Sequence, residues 1–327
     1  MTKLVTGAAG FIGFHVAKRL LERGERVIGI DNLNDYYSVA LKEARLALLK
    51  PYPGFRFERA NIADHLAILG IFARNPDISG IIHLAAQAGV RYSLKNPYAY
   101  IESNVLGQTV MLEAARQAGA AAAAPPRFVY ASSSSVYGGN QKQPFSVTDP
   151  VDRPVSLYAA TKRSCELIAE SYVHLYGLKA TGLRFFSVYG PWGRPDMAAY
   201  LFTDAIVAGR AIEVFNEGRM ARDFTYIDDI VAGVVAALDQ EDGGKPHKLY
   251  NLGNHRPERL LDFIGIIEGH LGRTAEKRLM PLQMGDVPES FADIEESRRD
   301  LGFEPKVPIS VGLKHFIEWY KAYHKLA

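Results

Sequence analysis

The chain has 327 residues, of which 48% are apolar and 23% charged, and its net charge is +2. This composition is typical of a globular protein with one large or two modest domains, and the small net charge gives no reason to expect nucleic acid or an anionic membrane as a partner. The N-terminus lacks the pattern of a leader peptide, no apolar stretch is long enough to cross a bilayer, and the one cysteine, Cys165, rules out an intramolecular disulfide. We therefore expect a cytoplasmic protein with no metal centre.

The predicted elements alternate between strands and helices over the first two thirds of the chain. Residues 3–24 predict a strand, a glycine turn and an amphipathic helix. Strands follow at 26–31, 80–86, 127–132 and 180–190, with helices at 98–119 and 157–176. This order predicts an α/β fold with a Rossmann-type, doubly wound parallel sheet. The alanine-rich run at 120–126 is expected to be a surface loop.

The pattern changes after residue 190, where prolines and glycines mark a loop and shorter elements are expected. A strand near 249–253 is predicted to return to the sheet edge, and a terminal helix covers 311–323. We assign 1–186 and about 223–252 to the Rossmann domain. A smaller C-terminal α/β substrate domain then comprises 187–222 and about 253–327, packed over the carboxyl ends of the strands.

Three glycines, Gly7, Gly10 and Gly13, lie between the first strand and helix. Gly7 allows the tight turn, Gly10 a close approach to a pyrophosphate, and Gly13 the packing of helix on strand, while the helix N-terminus offers free N–H groups. Asp31, at the end of the second strand, can accept hydrogen bonds from a ribose diol and would repel a 2′-phosphate, and Asn32 stands beside it. The pattern predicts an NAD site; the alternative is a tight turn followed by an ordinary strand-end acid.

Four serines, Ser132–Ser135, end the strand at 127–132, on the edge where such sheets bind ligands. Tyr158 and Lys162 are four residues apart on a predicted helix and so share one face. The lysine ammonium and a positively charged nicotinamide favour the phenolate form of the tyrosine, which can then take a proton from an alcohol while its carbon gives hydride to NAD. The alternatives are a serine linker and a pair of residues on a helix surface.

The chain resembles the extended short-chain dehydrogenase/reductase family of nucleotide-sugar enzymes, in motifs spread over nearly its whole length. These motifs are TGAAGFIG at 6–13, HLAAQ at 83–87, SSSSVYG at 132–138, YAATK at 158–162 and RDFTYIDDI at 222–230. Within the family, the stretches 30–46, 83–104, 184–198 and 286–294 are most similar to members that invert C4 of UDP-glucuronic acid to give UDP-galacturonic acid through a transient 4-keto sugar. The resemblance implies tightly bound NAD, a UDP-sugar substrate and a homodimer formed by the helices at 98–119 and 157–176.

The resemblance also implies roles for individual residues. The catalytic residues are Tyr158 as base, Lys162 as its partner and Ser133 as the hydroxyl on the sugar oxygen. The cofactor-binding residues are Gly7, Gly10, Phe11, Ile12, Gly13, Asp31, Asn32, Asn61, Ile62, Leu84, Ala85, Ala86, Tyr158 and Lys162. The substrate-binding residues are Ser133, Ser134, Ser135, Ser187, Arg194, Asn216 and Arg222. Asn61 departs from the family, whose members usually have aspartate there, although its amide can still reach an adenine ring.

Serines stand where related decarboxylases and dehydratases carry acidic residues. Ser134 and Ser135 are poor acids and bases, but they can donate hydrogen bonds to a sugar carboxylate, and Ser187 can add another donor. Arg194 either pairs with that carboxylate, holds its loop or faces solvent, and Arg222 is expected on the UDP diphosphate. Asn216 is expected near the uridine. Three alternatives stay open: a 4-epimerase of UDP-glucose or another UDP-sugar, a decarboxylase, and a cofactor sensor without catalysis.

Overall fold

The computed structural model describes residues 1–121, 125–240, 245–283 and 285–326. Its strands are β1 (Thr2–Thr6), β2 (Arg26–Asp31), β3 (Phe55–Arg59), β4 (Ile78–His83), β5 (Arg127–Ser133), β6 (Ala180–Phe185), β7 (Ser187–Tyr189), β8 (Ile212–Phe215), β9 (Ala221–Arg222), β10 (Phe224–Tyr226), β11 (His247–Leu252), β12 (Glu258–Arg259), β13 (Lys277–Met280) and β14 (Glu289–Ser290). Its α-helices are α1 (Phe11–Glu22), α2 (Val39–Leu49), α3 (His65–Ala73), α4 (Pro97–Tyr100), α5 (Gly107–Ala121), α6 (Leu157–Tyr176), α7 (Ala198–Val207), α8 (Ile227–Asp239), α9 (Leu260–Leu271), α10 (Glu295–Leu301) and α11 (Ile309–Tyr323).

Seven of the described strands form a parallel sheet in the order β3-β2-β1-β4-β5-β6-β11. From β1 the chain adds β2 and β3 on one side, and β4 then pairs with β1 on the other side. This change of direction opens a crevice at the carboxyl ends of β1 and β4. The predicted Rossmann-type sheet is therefore confirmed. The predicted edge strand is also confirmed, because β11 pairs with β6.

Strand residues alternate between two apolar layers, as the twofold period of a strand requires. Val5, Ile82 and Val129 pack into one layer with α1 and α8, while Leu4 and Ile81 pack into the other with α3, α5 and α6. Because helices cover both faces, most residues of the central strands are buried, on both sides of the sheet. This arrangement fixes the strand ends, and therefore fixes the residues that follow each strand at one edge of the sheet.

Several predicted elements differ from the structure. The predicted strand at 180–190 is broken: β6 ends at Phe185, and β7 pairs with β10 instead. The predicted helix at 98–119 is interrupted by a π-helical segment, Ile101–Leu106. The elements after residue 190 are not all short, because α8 has 13 residues, whereas the predicted terminal helix at 311–323 is confirmed as α11. The run at 120–126 is described only in part, and residues 122–124 lie outside the described residues.

Small strand pairs and helices follow the sheet. β8 pairs with β13, and β9 lies between β12 and β14. An aromatic cluster of Trp192, Tyr200, Phe316 and Trp319 joins the loop after β7 and helix α7 to α11. The predicted boundaries between the two domains stay a prediction. In the parts of the chain that the structure describes, we find no helix with both the length and the apolarity needed to cross a membrane.

Candidate active site

A cavity of about 900 Å³ opens at the carboxyl ends of the sheet strands and extends to the residues around β8 and β9. It brings together nearly all of the predicted site residues. Those that line it are Gly7, Gly10, Phe11, Ile12, Gly13, Asp31, Asn32, Asn61, Ile62, Leu84, Ala85, Ala86, Ser133, Ser134, Ser135, Tyr158, Lys162, Ser187, Arg194 and Arg222. The glycine turn between β1 and α1 and Arg222 of β9 both belong to this set.

The glycine turn forms a cradle that side chains would fill. A Cβ on Gly13 would lie 2.0 Å from the Gly7 carbonyl oxygen, and one on Gly7 would lie 2.9 Å from the Ala85 nitrogen. Gly7 also has a φ of +71°, which disfavours any other residue. Gly10 caps α1 without a side chain, so the N-terminal N–H groups of the helix stay open to the cavity. These features fit the pyrophosphate of a dinucleotide.

Asp31 supports the turn as well as facing the cavity. Its Oδ2 accepts a hydrogen bond from the Ala9 N–H at 3.1 Å, and its Oδ1 accepts one from the Leu33 N–H at 2.8 Å. Each carboxylate oxygen has a second lone pair, so both can still accept from a ribose diol. The neighbouring Asn32 accepts from the Asn34 N–H through Oδ1, which leaves its amide N–H groups as donors.

Asn61 is also held by its neighbours. Its Oδ1 accepts from the Ala63 N–H at 3.1 Å, and its Nδ2 donates to Glu102 Oε1 at 2.9 Å. These two bonds fix the plane of the amide at the wall of the cavity beside Ile62. Asn61 can therefore present a fixed amide edge to an adenine ring.

Lys42 is a cavity residue that the sequence analysis missed. It is 4% exposed, and its Nζ donates to both the backbone oxygen and Oδ1 of Asn34 at 2.6 Å. Burial lowers the pKa of Lys42, and the nearby charge of Asp31 opposes that shift. The spacing of Lys42 on an amphipathic helix carries no signal of this role, because its contacts depend on how the loop before α2 folds back.

Thr6 joins the ends of β1 and β4 beneath the cavity. Its hydroxyl oxygen accepts from the Leu84 and Ala85 N–H groups at 3.1 and 3.0 Å, so its proton is directed at His83 Nδ1, 2.8 Å away. Burial, together with the charge of Lys162, lowers the pKa of His83 to about 3. His83 is therefore a neutral structural acceptor.

The predicted catalytic residues lie where β5 ends and α6 begins. Ser156 caps α6 by accepting from the Ala159 N–H at 3.1 Å, which starts the helix so that Tyr158 and Lys162 line the cavity. Lys162 Nζ donates to the Ala131 carbonyl of β5 at 2.9 Å. This contact ties the lysine to the strand that ends in the serine run.

The serine run is the end of a strand followed by a single turn, and not a linker. Ser133 accepts from the Ser135 N–H and donates to Ser135 Oγ, both at 3.2 Å, and so caps the 3₁₀ turn Ser134–Tyr137. Ser133 is 8% exposed, whereas Ser134 and Ser135 are half-buried. Three hydroxyls therefore line one wall of the cavity near Tyr158.

A buried ion pair lies directly behind this wall. Glu166, one turn after Lys162 on α6, accepts from Ser132 Oγ at 2.6 Å and forms two hydrogen bonds with Arg184 of β6, at 2.8 and 3.0 Å. Burial disfavours the charged carboxylate, but Arg184 and Ser132 outweigh it and lower the pKa of Glu166. The pair fixes β5, β6 and α6 to one another.

Asn104 gives α6 a second anchor from the π-helical segment. Its Oδ1 accepts from the Gln87 N–H at 2.8 Å, and its Nδ2 donates to Thr161 Oγ1 at 3.0 Å. The Thr161 hydroxyl in turn donates to the Tyr158 carbonyl at 2.9 Å. Cys165 is buried and donates to the Asn104 carbonyl, as expected of a structural side chain. This network positions the turn of α6 that carries Tyr158.

Two arginines that line the cavity, Arg222 and Arg91, lie near the carboxylate of Asp286. Arg222 is half-buried and donates to the Ala221 and Pro288 carbonyls at 2.9 and 3.0 Å. Burial lowers the pKa of Arg222, and Asp286 opposes that shift. Arg91, which the sequence analysis did not assign, lies 3.6 Å from Asp286 and lines the same region. Two guanidinium groups in the wall of one cavity fit a diphosphate.

Arg194 lines the cavity and has a side chain that is 20% exposed, so it does not face solvent. Its Nε donates to Asp196 Oδ1 at 3.0 Å, and its Nη2 donates to Asp196 Oδ2. Burial disfavours the charge of Arg194, but Asp196 outweighs it and raises the pKa of the guanidinium. Ser187, half-buried, lines the cavity as well.

Asn216 is the predicted site residue that is not among the residues lining the cavity. Its Nδ2 donates to the Arg219 carbonyl at 2.7 Å inside a tight turn, where its own φ is +51°. Phe215 and Met220, on either side of that turn, do line the cavity. A contact between Asn216 and the uridine stays a prediction.

One cavity contains the glycine cradle, Asp31 at the end of β2, and the side chains of Ser133, Tyr158 and Lys162. This combination defines a dinucleotide-dependent enzyme of the Rossmann class. Residues 3–253 match the model of the NAD dependent epimerase/dehydratase family, and the chain belongs to that family. It is 46% identical to the probable UDP-glucuronate 4-epimerase of Rhizobium meliloti, over 100% of this chain and 99% of that protein.

Two further comparisons agree with this assignment. The chain is 47% identical to UDP-glucuronate 4-epimerase 2 of Arabidopsis thaliana, over 98% of this chain and 76% of that one. The structure is similar to that of UDP-glucuronic acid 4-epimerase from Bacillus cereus in complex with UDP-glucuronic acid and NAD. The TM-score is 0.90 and the identity 32%, over 99% of this chain and 100% of the other.

Proposed function

We propose that this chain inverts C4 of UDP-glucuronic acid to give UDP-galacturonic acid, by way of a transient 4-keto sugar and with NAD held tightly at the glycine turn. One observation carries the proposal: Ser133, Tyr158 and Lys162 line the same cavity as the glycine cradle and Arg222. The relatives and the similar structure that carry the name of this activity support it.

The chain's own groups can move the proton. The cradle at Gly7 and Gly13 would hold the pyrophosphate of NAD, and Asp31 would hold its adenosine ribose. Bound there, NAD would supply the reversible hydride acceptor that the reaction needs. Tyr158 takes the proton of the 4-hydroxyl and later gives it back, with Lys162 lining the same cavity one turn further along α6. Ser133 holds the same oxygen through its hydroxyl.

Loss of the sugar carboxylate as CO₂ is disfavoured by residues that are themselves poor acids and bases. A 4-keto uronic acid is a β-keto acid, which loses CO₂ when its C5–C6 bond aligns with the carbonyl π system. Ser134, Ser135 and Ser187 can donate hydrogen bonds that hold the carboxylate near the plane of the carbonyl and so disfavour that alignment. If the Ser134→Ala/Ser135→Ala variant gives the same ratio of epimer to CO₂ as the wild type, this explanation is wrong.

The UDP half of the substrate stays bound while the sugar turns. Arg222 and Arg91 lie where they can hold the diphosphate, and this binding is equal before and after the turn. The keto sugar can therefore swing about its diphosphate tether and present its opposite face. Return of the hydrogen to that face inverts C4.

Proton NMR of the purified protein with UDP-glucuronate, without added NAD, tests the proposal. Appearance of UDP-galacturonate supports both the substrate and the tightly held cofactor. Parallel samples with UDP-glucose, and detection of CO₂, separate the other epimerase and decarboxylase activities. Faster epimerisation of UDP-glucose, or release of CO₂ as the main outcome, would contradict the proposal.

The proposal includes a homodimer in the cytoplasm. Large apolar side chains on α6 are exposed, among them Leu167 at 54% and Leu175 at 64%, which supports pairing of α5 and α6 with their copies in a second chain. The one cysteine, Cys165, is buried and free, as is usual in a reducing compartment. Sedimentation of the wild type against Leu167→Glu tests the dimer, which the charge should dissociate; cell fractionation tests the location.

A further inference from the structure

The Arg194–Asp196 pair sits in the cavity wall and reaches across the chain. Tyr36, from the loop that follows β2, donates its hydroxyl to Asp196 Oδ2 at 3.0 Å. Burial and the charge of Asp196 raise the pKa of Tyr36, so the phenol keeps its proton and stays a donor. Asp196 therefore has two partners, and two of the three guanidinium nitrogens of Arg194 are engaged by one carboxylate.

The backbone before Arg194 is fixed, so only side chains are free to exchange partners there. Arg45 is fully buried and donates to the Trp192 carbonyl at 2.6 Å and the Gly193 carbonyl at 3.3 Å. His15 bonds to the Pro191 carbonyl at 2.9 Å. Three consecutive carbonyls of this loop are thus held by the dinucleotide-binding part of the chain, and a change at Arg194 does not require the loop to move.

A carboxylate bound near Arg194 would meet Asp196 as a like charge competing for the same guanidinium. Two carboxylates on one arginine repel each other, and the bidentate geometry that each prefers is available to one of them at a time. A neutral hydroxymethyl group, as in UDP-glucose, offers no such competition. The effect of Asp196 on the dissociation constant of a UDP-sugar should therefore depend on whether the sugar carries a carboxylate.

We propose that Asp196 is a displaceable counter-ion, which gives up Arg194 to the carboxylate of a uronate sugar and takes it back when that carboxylate leaves. This inference rests on the proposed function. Tyr36 holds Asp196 while it is displaced. During the turn of the keto sugar the carboxylate must release its partners, and the return of Asp196 to Arg194 makes that release easier. Asp196 is accordingly a positioning and specificity residue, and it takes no part in the proton transfer.

The test compares binding and turnover in the NAD-loaded protein. For Asp196→Asn, calorimetry with UDP-glucuronate should show a dissociation constant lower by about tenfold, the scale expected when a like charge is removed from a half-buried site. The dissociation constant for UDP-glucose should stay within about twofold of the wild type. At the same time kcat on UDP-glucuronate should fall severalfold, because the carboxylate is released more slowly.

Three further variants separate charge from structure. Asp196→Glu keeps the charge and should restore the wild-type ratio of the two dissociation constants. Tyr36→Phe removes the partner of the displaced carboxylate and should weaken UDP-glucuronate binding alone, and it gives an independent readout if Asp196→Asn does not fold. Asp239→Asn removes the same charge from the exposed Arg23–Asp239 pair and should change neither ligand.

Failure of this inference differs from failure of the proposed function. If the wild type neither binds nor epimerises UDP-glucuronate, the proposed function is wrong. The wild type can also do both while Asp196→Asn leaves the ratio of the two dissociation constants unchanged, or weakens the binding of UDP-glucuronate. In either case Asp196 is not a displaceable counter-ion. A lower dissociation constant with an unchanged or higher kcat would contradict its role in release.

Discussion

Replacement of Gly13 by alanine tests whether the glycine turn is a built cofactor cradle. The added Cβ would lie 2.0 Å from the Gly7 carbonyl oxygen and 2.7 Å from the Gly7 carbonyl carbon. Ordinary contact begins near 3.4 Å, so the turn must open by about 1.4 Å. Both atoms belong to the backbone, and no side-chain rotation can relieve the clash.

We expect this variant to fold but to lose its cofactor. Overpacking of this kind destabilises a protein by roughly 1–3 kcal/mol, because neighbouring atoms shift instead of leaving a gap. A displacement of about 1 Å at a site that positions a ligand can lower its effectiveness on the order of 100-fold. The nucleotide released from purified, denatured protein, measured by chromatography, should fall to a small fraction of the wild-type amount. Calorimetric titration with NAD should show a correspondingly weaker affinity.

Gly265→Ala is the matched control, because it adds the same methyl group to a helix elsewhere. A Cβ on Gly265, in α9, meets nothing within 4 Å. Alanine should therefore stabilise α9 by about 0.5–1 kcal/mol and leave the nucleotide content unchanged. Wild-type NAD affinity in Gly13→Ala, or an equal loss in Gly265→Ala, would refute the argument that this turn is shaped for a pyrophosphate.

Three further predictions follow from the site and its supports. Tyr158→Phe should abolish epimerisation by NMR yet keep NAD and UDP-sugar binding by calorimetry; retained turnover would remove Tyr158 as the base. Glu166→Gln breaks a buried ion pair and should destabilise the fold by about 3–5 kcal/mol in denaturant, whereas Glu166→Met/Arg184→Leu should recover most of it. His83 stays neutral when folded, with a pKa of about 3 against an ordinary 6.5, so its contribution is present above pH 6.5 and is lost as pH falls toward 3. His83→Asn should therefore reduce the loss of stability between pH 7 and pH 4 by about 3 kcal/mol; a variant that follows the wild-type pH profile would contradict this.

The parallel sheet could be predicted because its signals are local. Each central strand is a short apolar run, and α1 and α6 have apolar faces with the period of a helix. Where the pattern is weak, no element was predicted: β3 alternates aromatic and charged residues, and α3 is apolar on nearly all sides. The break between β6 and β7 was also missed, because it depends on pairing with β10, a strand that lies about forty residues further along the chain.

Some residues of the cavity can also be found from their spacing in the sequence, whereas others are brought together only by the fold. The glycines and the pair Tyr158 and Lys162 follow fixed spacings, and the structure brings them into one cavity. Tyr36 and Asp196 are 160 residues apart, and Glu166 and Arg184 belong to a helix and a strand that only packing joins. Contacts of this kind produce no fixed spacing between residues that a reading of the sequence could detect. The nearness of a carboxylate two residues after Arg194 was the one local sign of its pairing.

The central claim is that the hydrogen at C4 leaves and returns within the same site while Tyr158 handles only the proton of the hydroxyl. UDP-glucuronate carrying deuterium at C4 tests this most directly when it is converted in ordinary water and the product is examined by NMR. We predict that UDP-galacturonate keeps the deuterium at C4, and that unlabelled substrate turned over in D₂O gains none there. Loss of the label to water, or incorporation of solvent deuterium at C4, would contradict the account.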